Sequence, residues 1–144
     1  MTTINKTNQC RLEKKIELVK SGQSRVFKEW QLYGGITEEE FIEGLKWLAE
    51  DPMTEKGNPT REISIIPTQD AIEKIWLEKG EPWSKMVTEI DEDNLKTEII
   101  KIERLYEVRY DEDGKPYDWF TGRRDVKTGY RTNAKFFINI RDYI

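Results

Sequence analysis

The spacing of apolar residues predicts a helix near the start of the chain. Over residues 8–21, Leu12, Ile16 and Val19 recur at intervals of four and three residues, which is the period of an amphipathic helix. Gly22 follows, and glycine is a common residue just beyond a helix C-terminus. The pattern places the lysines of this helix on its outward side: Lys14, Lys15 and Lys20.

Two more helices are predicted before residue 52, on either side of Gly34 and Gly35. Ser24 is suited to cap the first of them, and an apolar stripe follows at helical spacing: Val26, Phe27 and Trp30. Thr37 and Glu40 form a T-x-x-E capping box at the start of the second. Its core-facing side is expected to consist of Phe41, Leu45 and Leu48. Residues 1–52 are therefore expected to be mainly helical.

Short elements are predicted in the region that follows. A loop over residues 53–62 leads into a short strand, in which Ile63 and Ile65 share one face. Residues 63–96 are expected to hold this strand and short helices. Apolar residues at helical spacing predict two such helices: residues 67–80 and 83–90.

The pattern changes to that of antiparallel hairpins in residues 97–144. The β-branched and aromatic content favours a strand over residues 100–110, whereas residues 97–104 also fit a helix, and both interpretations stay open. Asp113 and Gly114 are typical of a turn that needs a positive φ. Two further strands are predicted on either side of a polar loop over residues 122–129: residues 117–121 and 130–140.

The order of the elements indicates the fold class. Helices come first and antiparallel strands last, which is typical of an α+β domain. With 144 residues, the chain has the length of one domain. We therefore expect a single domain over residues 1–144, with N-terminal helices packed on a C-terminal three- to four-stranded antiparallel sheet.

Composition excludes several kinds of site. The chain has no histidine, so it lacks the commonest general base, Ser-His and Cys-His nucleophile pairs, and His-containing zinc sites. Its single cysteine, Cys10, excludes an internal disulfide framework. We see no apolar signal segment and no apolar run long enough to span a bilayer. These features predict a cytoplasmic setting away from membranes, and we expect no cofactor and no bound metal.

Charge is unevenly distributed along the chain. Residues 1–28 carry a net charge of +5, residues 29–114 carry −13, and residues 115–144 carry +4. One interpretation is that the signs mix on a solvated surface once the chain folds. The other is that a segregated surface steers charged partners. Both remain open.

A basic, aromatic-rich segment near the C-terminus is one candidate site. On a sheet, such residues can bind single-stranded nucleic acid, with cations on the phosphates and an aromatic side chain such as Trp119 stacked on a base. The alternative is that the aromatic residues belong to the core and the charges keep a hairpin soluble. The cations of this candidate site are Arg123, Arg124, Lys127, Arg131 and Lys135.

The same segment holds a second pattern, that of a metal-dependent nuclease. Asp118, with Asp125 and Lys127, matches two carboxylates that hold Mg²⁺ and a lysine that polarises a water molecule. The spacing is short and no further acidic ligand is evident. A nuclease is therefore the least favoured of the functions considered.

Acidic runs in the middle of the chain form the other candidate site. A row of carboxylates can imitate nucleic-acid phosphates and occupy the basic groove of a nucleic-acid enzyme. Solvated loops are the alternative interpretation. Three consecutive carboxylates also argue against a DNA-reading helix, because they would be repelled by phosphates. The residues of this candidate site are Glu38, Glu39, Glu40, Asp91, Glu92 and Asp93.

These patterns favour a protein that works by binding. The first hypothesis is a non-catalytic inhibitor or adaptor that contacts a nucleic-acid-processing machine through its acidic surface. The alternative is direct binding of single-stranded nucleic acid by the basic C-terminal hairpins. The helical part resembles small accessory proteins encoded by phages or mobile elements, but no residue pattern identifies a family. The patterns identify neither the partner nor the oligomeric state.

Overall fold

Three helices precede a three-stranded antiparallel sheet, which confirms the predicted α+β class. The structure is a computed structural model, and it describes residues 6–65, 98–132 and 137–142. The helices are α1 (Lys6–Lys20), α2 (Arg25–Gly34) and α3 (Glu38–Ala49), and the strands are β1 (Arg61–Ser64), β2 (Ile100–Tyr110) and β3 (Pro116–Asp125).

The capping residues that the sequence predicted are found at both ends of α2 and at the start of α3. Ser24 accepts a hydrogen bond from the backbone N–H of Phe27 (3.2 Å) at the start of α2. Gly35 ends that helix with φ 64°, a left-handed conformation that glycine adopts without steric strain. Thr37 and Glu40 make both halves of the capping box at the start of α3. The first turn of α3 is therefore firmly held.

The core lies between the helices and one face of β1. Phe41 is at its centre, with the rings of Phe27 and Trp30 at centroid distances of 5.3 and 5.4 Å. Such tilted and edge-on contacts add to the stabilisation from apolar burial. The apolar stripes predicted for the three helices are their core-facing sides. Other large side chains with almost no exposure are Ile36, Leu45, Leu48, Ile63, Ile65 and Ile140.

Lys15 does not lie on the outward side of α1, as the sequence pattern predicted. It follows Leu12 by three residues and precedes Val19 by four, so it shares their buried face. Its ammonium group donates a hydrogen bond to the backbone carbonyl of Asp142. Burial lowers the pKa of Lys15, although the Asp142 carboxylate opposes this effect. The other two lysines of that prediction are exposed.

Asp51 links the end of α3 to the start of β1. Its carboxylate is buried and accepts hydrogen bonds from the backbone N–H groups of Met53 (2.8 Å), Thr60 (2.8 Å) and Arg61 (2.9 Å). The Asn8 side chain of α1 donates to the Asp51 backbone carbonyl (3.4 Å). The predicted loop therefore follows a defined path between helix and strand.

The strands are arranged in the order β1-β2-β3, and each pair is antiparallel. On the outer edge of β1, Ile63 exchanges two backbone hydrogen bonds with Ile138 (2.9 and 3.0 Å). β2 pairs with β1 through residues 100–103 but with β3 through residues 102–110. The two longer strands thus continue beyond β1 as a hairpin.

β3 is longer than the sequence predicted. The predicted strand stops at residue 121, whereas the observed strand continues to Asp125. Thr121 is an extra residue opposite Leu105 and Tyr106, and this bulge lets the ladder resume at Gly122. The predicted loop over residues 122–129 was therefore wrong in its first half, which is strand.

The strand predicted over residues 130–140 was also wrong as a continuous element. In the described part of that range, Arg131 forms an isolated bridge with Arg124, and Ile138 forms another with Ile63. Ile138 and Ile140 are nevertheless buried, as the predicted apolar face required. In its described part, this segment mainly supplies side chains to the core and forms only isolated backbone bridges with the sheet.

Two short helices and a choice between helix and strand were predicted for the region between β1 and β2. The short helices predicted over residues 67–80 and 83–90 lie outside the described residues. The choice left open at residues 97–104 is decided in favour of a strand from Ile100 onward. Within the ranges that the structure describes, no helix combines the length and apolar character that crossing a bilayer requires.

Candidate functional site

An open groove of about 730 Å³ runs along α3 beside the first residues of β2. Five glutamates and two lysines line it, so its net charge is −3. We call it the acidic groove. Its lining residues are Glu39, Glu40, Glu43, Gly44, Lys46, Trp47, Glu50, Glu98, Ile99 and Lys101.

Close packing between α3 and the sheet forms the floor of the acidic groove. Gly44 has no side chain, and a Cβ atom built there would lie 2.9 Å from Ile63 Cδ1 and 3.3 Å from Ile99 Cδ1. A larger residue at Gly44 would push the helix and the sheet apart. The glycine therefore allows the helix to lie directly on β1 and the start of β2.

Trp47 is the aromatic residue of the acidic groove, and cations hold it in place. The Arg61 guanidinium lies 4.8 Å from the Trp47 ring centroid, and the Lys101 ammonium lies 5.5 Å from it. Arg61 also donates a hydrogen bond to the Trp47 backbone carbonyl (3.0 Å). The ring is half-buried, so it can contact a bound group without rearranging.

The structure brings part of the predicted acidic site together. Glu39 and Glu40 line the acidic groove, and Glu38 is exposed in the same helical turn. Glu40 also serves the fold, because its carboxylate accepts a hydrogen bond from the Thr37 hydroxyl (3.0 Å). The other predicted members lie outside the described residues: Asp91, Glu92 and Asp93.

The sequence prediction missed three glutamates of the acidic groove. Glu43 follows Glu39 by four residues and Glu50 follows Glu43 by seven, a helical spacing that could have revealed them. Glu98 joins them because β2 begins beside α3. No local pattern signals that contact, since it depends on the tertiary packing of a distant segment.

The basic residues predicted to contact nucleic acid do not form one exposed row. Arg123 and Arg124 are neighbours in β3, so their side chains point to opposite faces of the sheet. Arg123 forms an ion pair with Glu62 (2.6 Å), and Arg124 forms one with Glu103 (2.5 Å).

The remaining members of the basic site are also dispersed. Arg131 donates a hydrogen bond to the backbone carbonyl of Thr121 (3.0 Å). Lys127 is exposed in the turn after β3. Lys135 lies outside the described residues. The three arginines of this predicted site are thus engaged in holding the hairpin.

The aromatic residues of the same hairpin are exposed. We call residues 107–119 the hairpin tip. Trp119 is 45% exposed and Tyr110 is 68% exposed, so they do not belong to the core. The Arg109 guanidinium lies 4.4 Å from the Trp119 ring centroid and covers one of its faces. The interpretation of these aromatic residues as core was therefore wrong for the hairpin tip.

The carboxylates of the nuclease pattern are not assembled into a site. Asp118 pairs with Val108 and Asp125 with Ile102, so the two acids lie six residues apart along the ladder, or about 20 Å. Hydrogen bonds from Thr54 and Asn58 lower the pKa of Asp118. Within the described ranges, no three His, Cys, Asp or Glu residues are grouped to hold a metal ion.

Comparison of the chain with protein-family models, with curated proteins and with solved structures gives no match. The geometry of the acidic groove and of the hairpin tip is therefore the basis for a proposed function.

Proposed function

We propose that the protein is a non-catalytic binding protein that acts by protein–protein contact through the acidic groove. The observation that supports this function is the convergence of five glutamates around Trp47 in an open groove. Charge of one sign favours a partner of the opposite sign, and a tryptophan can supply the apolar centre of a contact. A suitable partner presents lysine or arginine side chains around an apolar group.

A nucleic-acid-processing protein is the class of partner that best suits this surface. Such proteins carry lysine and arginine side chains that neutralise phosphates. The glutamates of the acidic groove offer those cations an alternative set of anions, so the protein would act as an inhibitor or an adaptor. We place this contact in the cytoplasm, where thiols such as that of Cys10 stay reduced.

Direct binding of single-stranded nucleic acid has less support. The exposed Trp119 favours it, because bases stack on such rings. Phosphates, however, would have to compete with Glu62 for Arg123 and with Glu103 for Arg124. We therefore keep this function as an outcome that the binding experiment can detect.

The test of the proposed function is affinity purification of the tagged chain from cells that encode it. The test variant is Glu39→Lys with Glu43→Lys, two changes in the acidic groove. We expect it to lose at least about tenfold of the co-purifying protein, as the loss of a central contact does. The protein is quantified by mass spectrometry, with and without nuclease treatment of the lysate.

The matched control is Glu13→Lys with Glu17→Lys. Both residues are exposed on α1, outside the acidic groove, and the change in net charge is the same. The control should retain the partner. Equal retention by both variants would contradict the proposal, and recovery of nucleic acid that nuclease removes would favour direct nucleic-acid binding instead.

A further inference from the structure

The hairpin tip concentrates exposed apolar side chains. Among the described residues, eight large apolar side chains are exposed, and the tip holds four of them. Single exposed apolar residues are ordinary, but several on one projecting element are typical of an interaction site. Val108 and Tyr110 lie on one face of the hairpin, and Tyr117 and Trp119 lie on the other.

The turn that closes the hairpin tip is held by hydrogen bonds. The Asp111 carboxylate accepts hydrogen bonds from the backbone N–H groups of Asp113 and Lys115, both at 2.9 Å. The Asp111 backbone N–H donates to the Lys115 carbonyl (3.0 Å), and Gly114 adopts the positive φ of 78° that the turn requires. A partner therefore meets an ordered surface, which reduces the entropy lost on binding.

Trp119 has a defined orientation although it is exposed. Arg109 stacks on its ring, and Glu107 holds the same guanidinium through an ion pair of 3.3 Å. These three side chains lie on one face of the hairpin, because Glu107 is paired with Trp119 and Arg109 with Tyr117. Tyr117 adds a second aromatic ring to this face.

This face is a continuation of the acidic groove along β2. Side chains alternate along a strand, so Lys101 of the acidic groove shares its face with Glu103, Leu105, Glu107 and Arg109. The bulge does not interrupt this series, since the extra residue belongs to β3. The acidic groove and the aromatic face of the hairpin tip therefore lie at two ends of one strand face.

We propose that the hairpin tip inserts into an apolar cleft of the partner protein, with Trp119 and Tyr117 in the cleft and basic residues at its rim. The chemistry of the partner protein is inferred from charge complementarity. Five carboxylates and two basic residues give residues 107–119 a net charge of −3. Glu112 and Asp113 are exposed in the turn beside the aromatic residues and would face those cations. This inference rests on the proposed function, because it adds a second contact with the same basic partner.

Two other partners would fit the hairpin tip less well than a basic protein. A second copy of the chain would bring two tips of the same negative charge together. Single-stranded nucleic acid would bring phosphates towards the carboxylates of the turn. A basic protein surface avoids both repulsions and uses the same apolar area.

The experiment measures how much co-purifying protein each variant of the tagged full-length chain retains. Trp119→Ala should lose at least about tenfold, as for a central aromatic contact. Glu112→Lys with Asp113→Lys should also reduce retention, and retention by this variant should depend less on salt than that of the wild type. Tyr130→Ala is the control, because Tyr130 is exposed outside the hairpin tip. Circular dichroism and the melting temperature verify folding of each variant.

The results separate this inference from the proposed function. If the acidic-groove variant loses the partner while Trp119→Ala keeps it, the hairpin inference is overturned and the proposed function stands. If only the hairpin variants lose it, the hairpin contact stands and the acidic groove does not. A wild-type chain that retains no protein overturns both. If the wild type sediments as a dimer and Trp119→Ala as a monomer, the hairpin tip binds a second copy of the chain. If the wild type binds an oligo-dT probe and Trp119→Ala does not, the hairpin tip binds nucleic acid. Either result overturns the inference.

Discussion

Glu62 is the residue through which β1 is tied by charge to the two longer strands. Its side chain is 3% exposed, and its carboxylate meets Arg123 Nε at 2.6 Å and Arg104 Nη1 at 3.4 Å. Both guanidinium groups also lie over the Phe120 ring, that of Arg104 at 4.3 Å and that of Arg123 at 4.9 Å from its centroid. Because a buried charge without a partner is strongly unfavourable, the three ionic groups depend on one another.

We expect Glu62→Gln to lower the free energy of unfolding by about 3 kcal/mol. The substitution keeps the shape of the side chain but leaves Arg104 and Arg123 without their counterion. Urea unfolding followed by circular dichroism measures the change.

The control for this prediction is Glu103→Gln. Glu103 also pairs with an arginine across β2 and β3, at 2.5 Å, but 45% of its side chain and 43% of that of Arg124 are exposed. Its loss should lower the free energy of unfolding by less than about 1 kcal/mol. Equal effects of the two substitutions would show that burial does not strengthen the Glu62 interactions.

At the scale of elements, the bulge in β3 depends on a glycine. Gly122 has φ 151°, and a Cβ atom there would collide with the Arg131 guanidinium. Arg131 occupies that space while it donates to the Thr121 carbonyl (3.0 Å). The glycine thus allows a bulge and an arginine to occupy the same edge of the sheet.

We expect Gly122→Ala to lower the free energy of unfolding by about 2–3 kcal/mol, because alanine is strained at φ 151° and because moving Arg131 breaks its hydrogen bond to the Thr121 carbonyl. Gly129→Ala is the matched control. Gly129 also has a positive φ of 77°, but no atom lies within 4 Å of a Cβ built there, so its cost should be about 1 kcal/mol. Thermal unfolding of both variants tests the difference, and a larger loss for Gly129→Ala would contradict it.

Gly122 also illustrates which features of the helices and strands could be predicted from the sequence and which could not. Local signals such as the Thr37 capping box and the turn at Gly114 act within a few residues, and both were correct. Gly122 has the local signature of a strand end, so the predicted strand stopped before it. The actual continuation depends on pairing with residues of β2 some twenty positions earlier, which local patterns do not encode.

At the scale of the whole molecule, Lys15 joins the two ends of the described chain. It lies on α1 and donates to the carbonyl of Asp142 in the last described segment. That segment also contributes Ile138 and Ile140 to the core. The hydrophobic pattern missed this lysine because a buried cation is unusual, and its long apolar stem lets it occupy a core-facing position.

Lys15 should make stability depend on pH. Burial lowers its pKa below the usual value of 10.5, so the unfolded chain binds more protons than the folded chain between the two pKa values. The free energy of unfolding therefore rises as the pH is raised through that interval. We expect Lys15→Met to lack this contribution, so the difference between wild type and variant should grow in favour of the wild type as the pH approaches 10.5.

Urea unfolding of both proteins from neutral to alkaline pH measures that difference. Lys14→Met is the control, since Lys14 is the exposed neighbour on the same helix and should follow the wild type. Parallel curves for the wild type and Lys15→Met would contradict the role assigned to burial.

The candidate sites, too, could be predicted from the sequence only where no tertiary contact was involved. The acidic character of α3 could be predicted from Glu38, Glu39 and Glu40, because neighbouring residues of one helix stay together. The engagement of Arg123 and Arg124 in ion pairs could not be predicted, because their partners Glu62 and Glu103 come from other strands. The charge of a segment is therefore a property of the sequence, whereas its availability to a partner is a property of the fold.

The bulge at Thr121 has a consequence for how this molecule can evolve. It lies between the body of the sheet and the hairpin tip, and a bulge changes the local bend and twist of the strands that carry it. A single insertion or deletion there would reorient the tip relative to the acidic groove while leaving the residues of both surfaces intact. Selection could thus adjust the angle between the two proposed contact surfaces separately from their chemistry, so that partners of different shape could be fitted with the same residues at those surfaces.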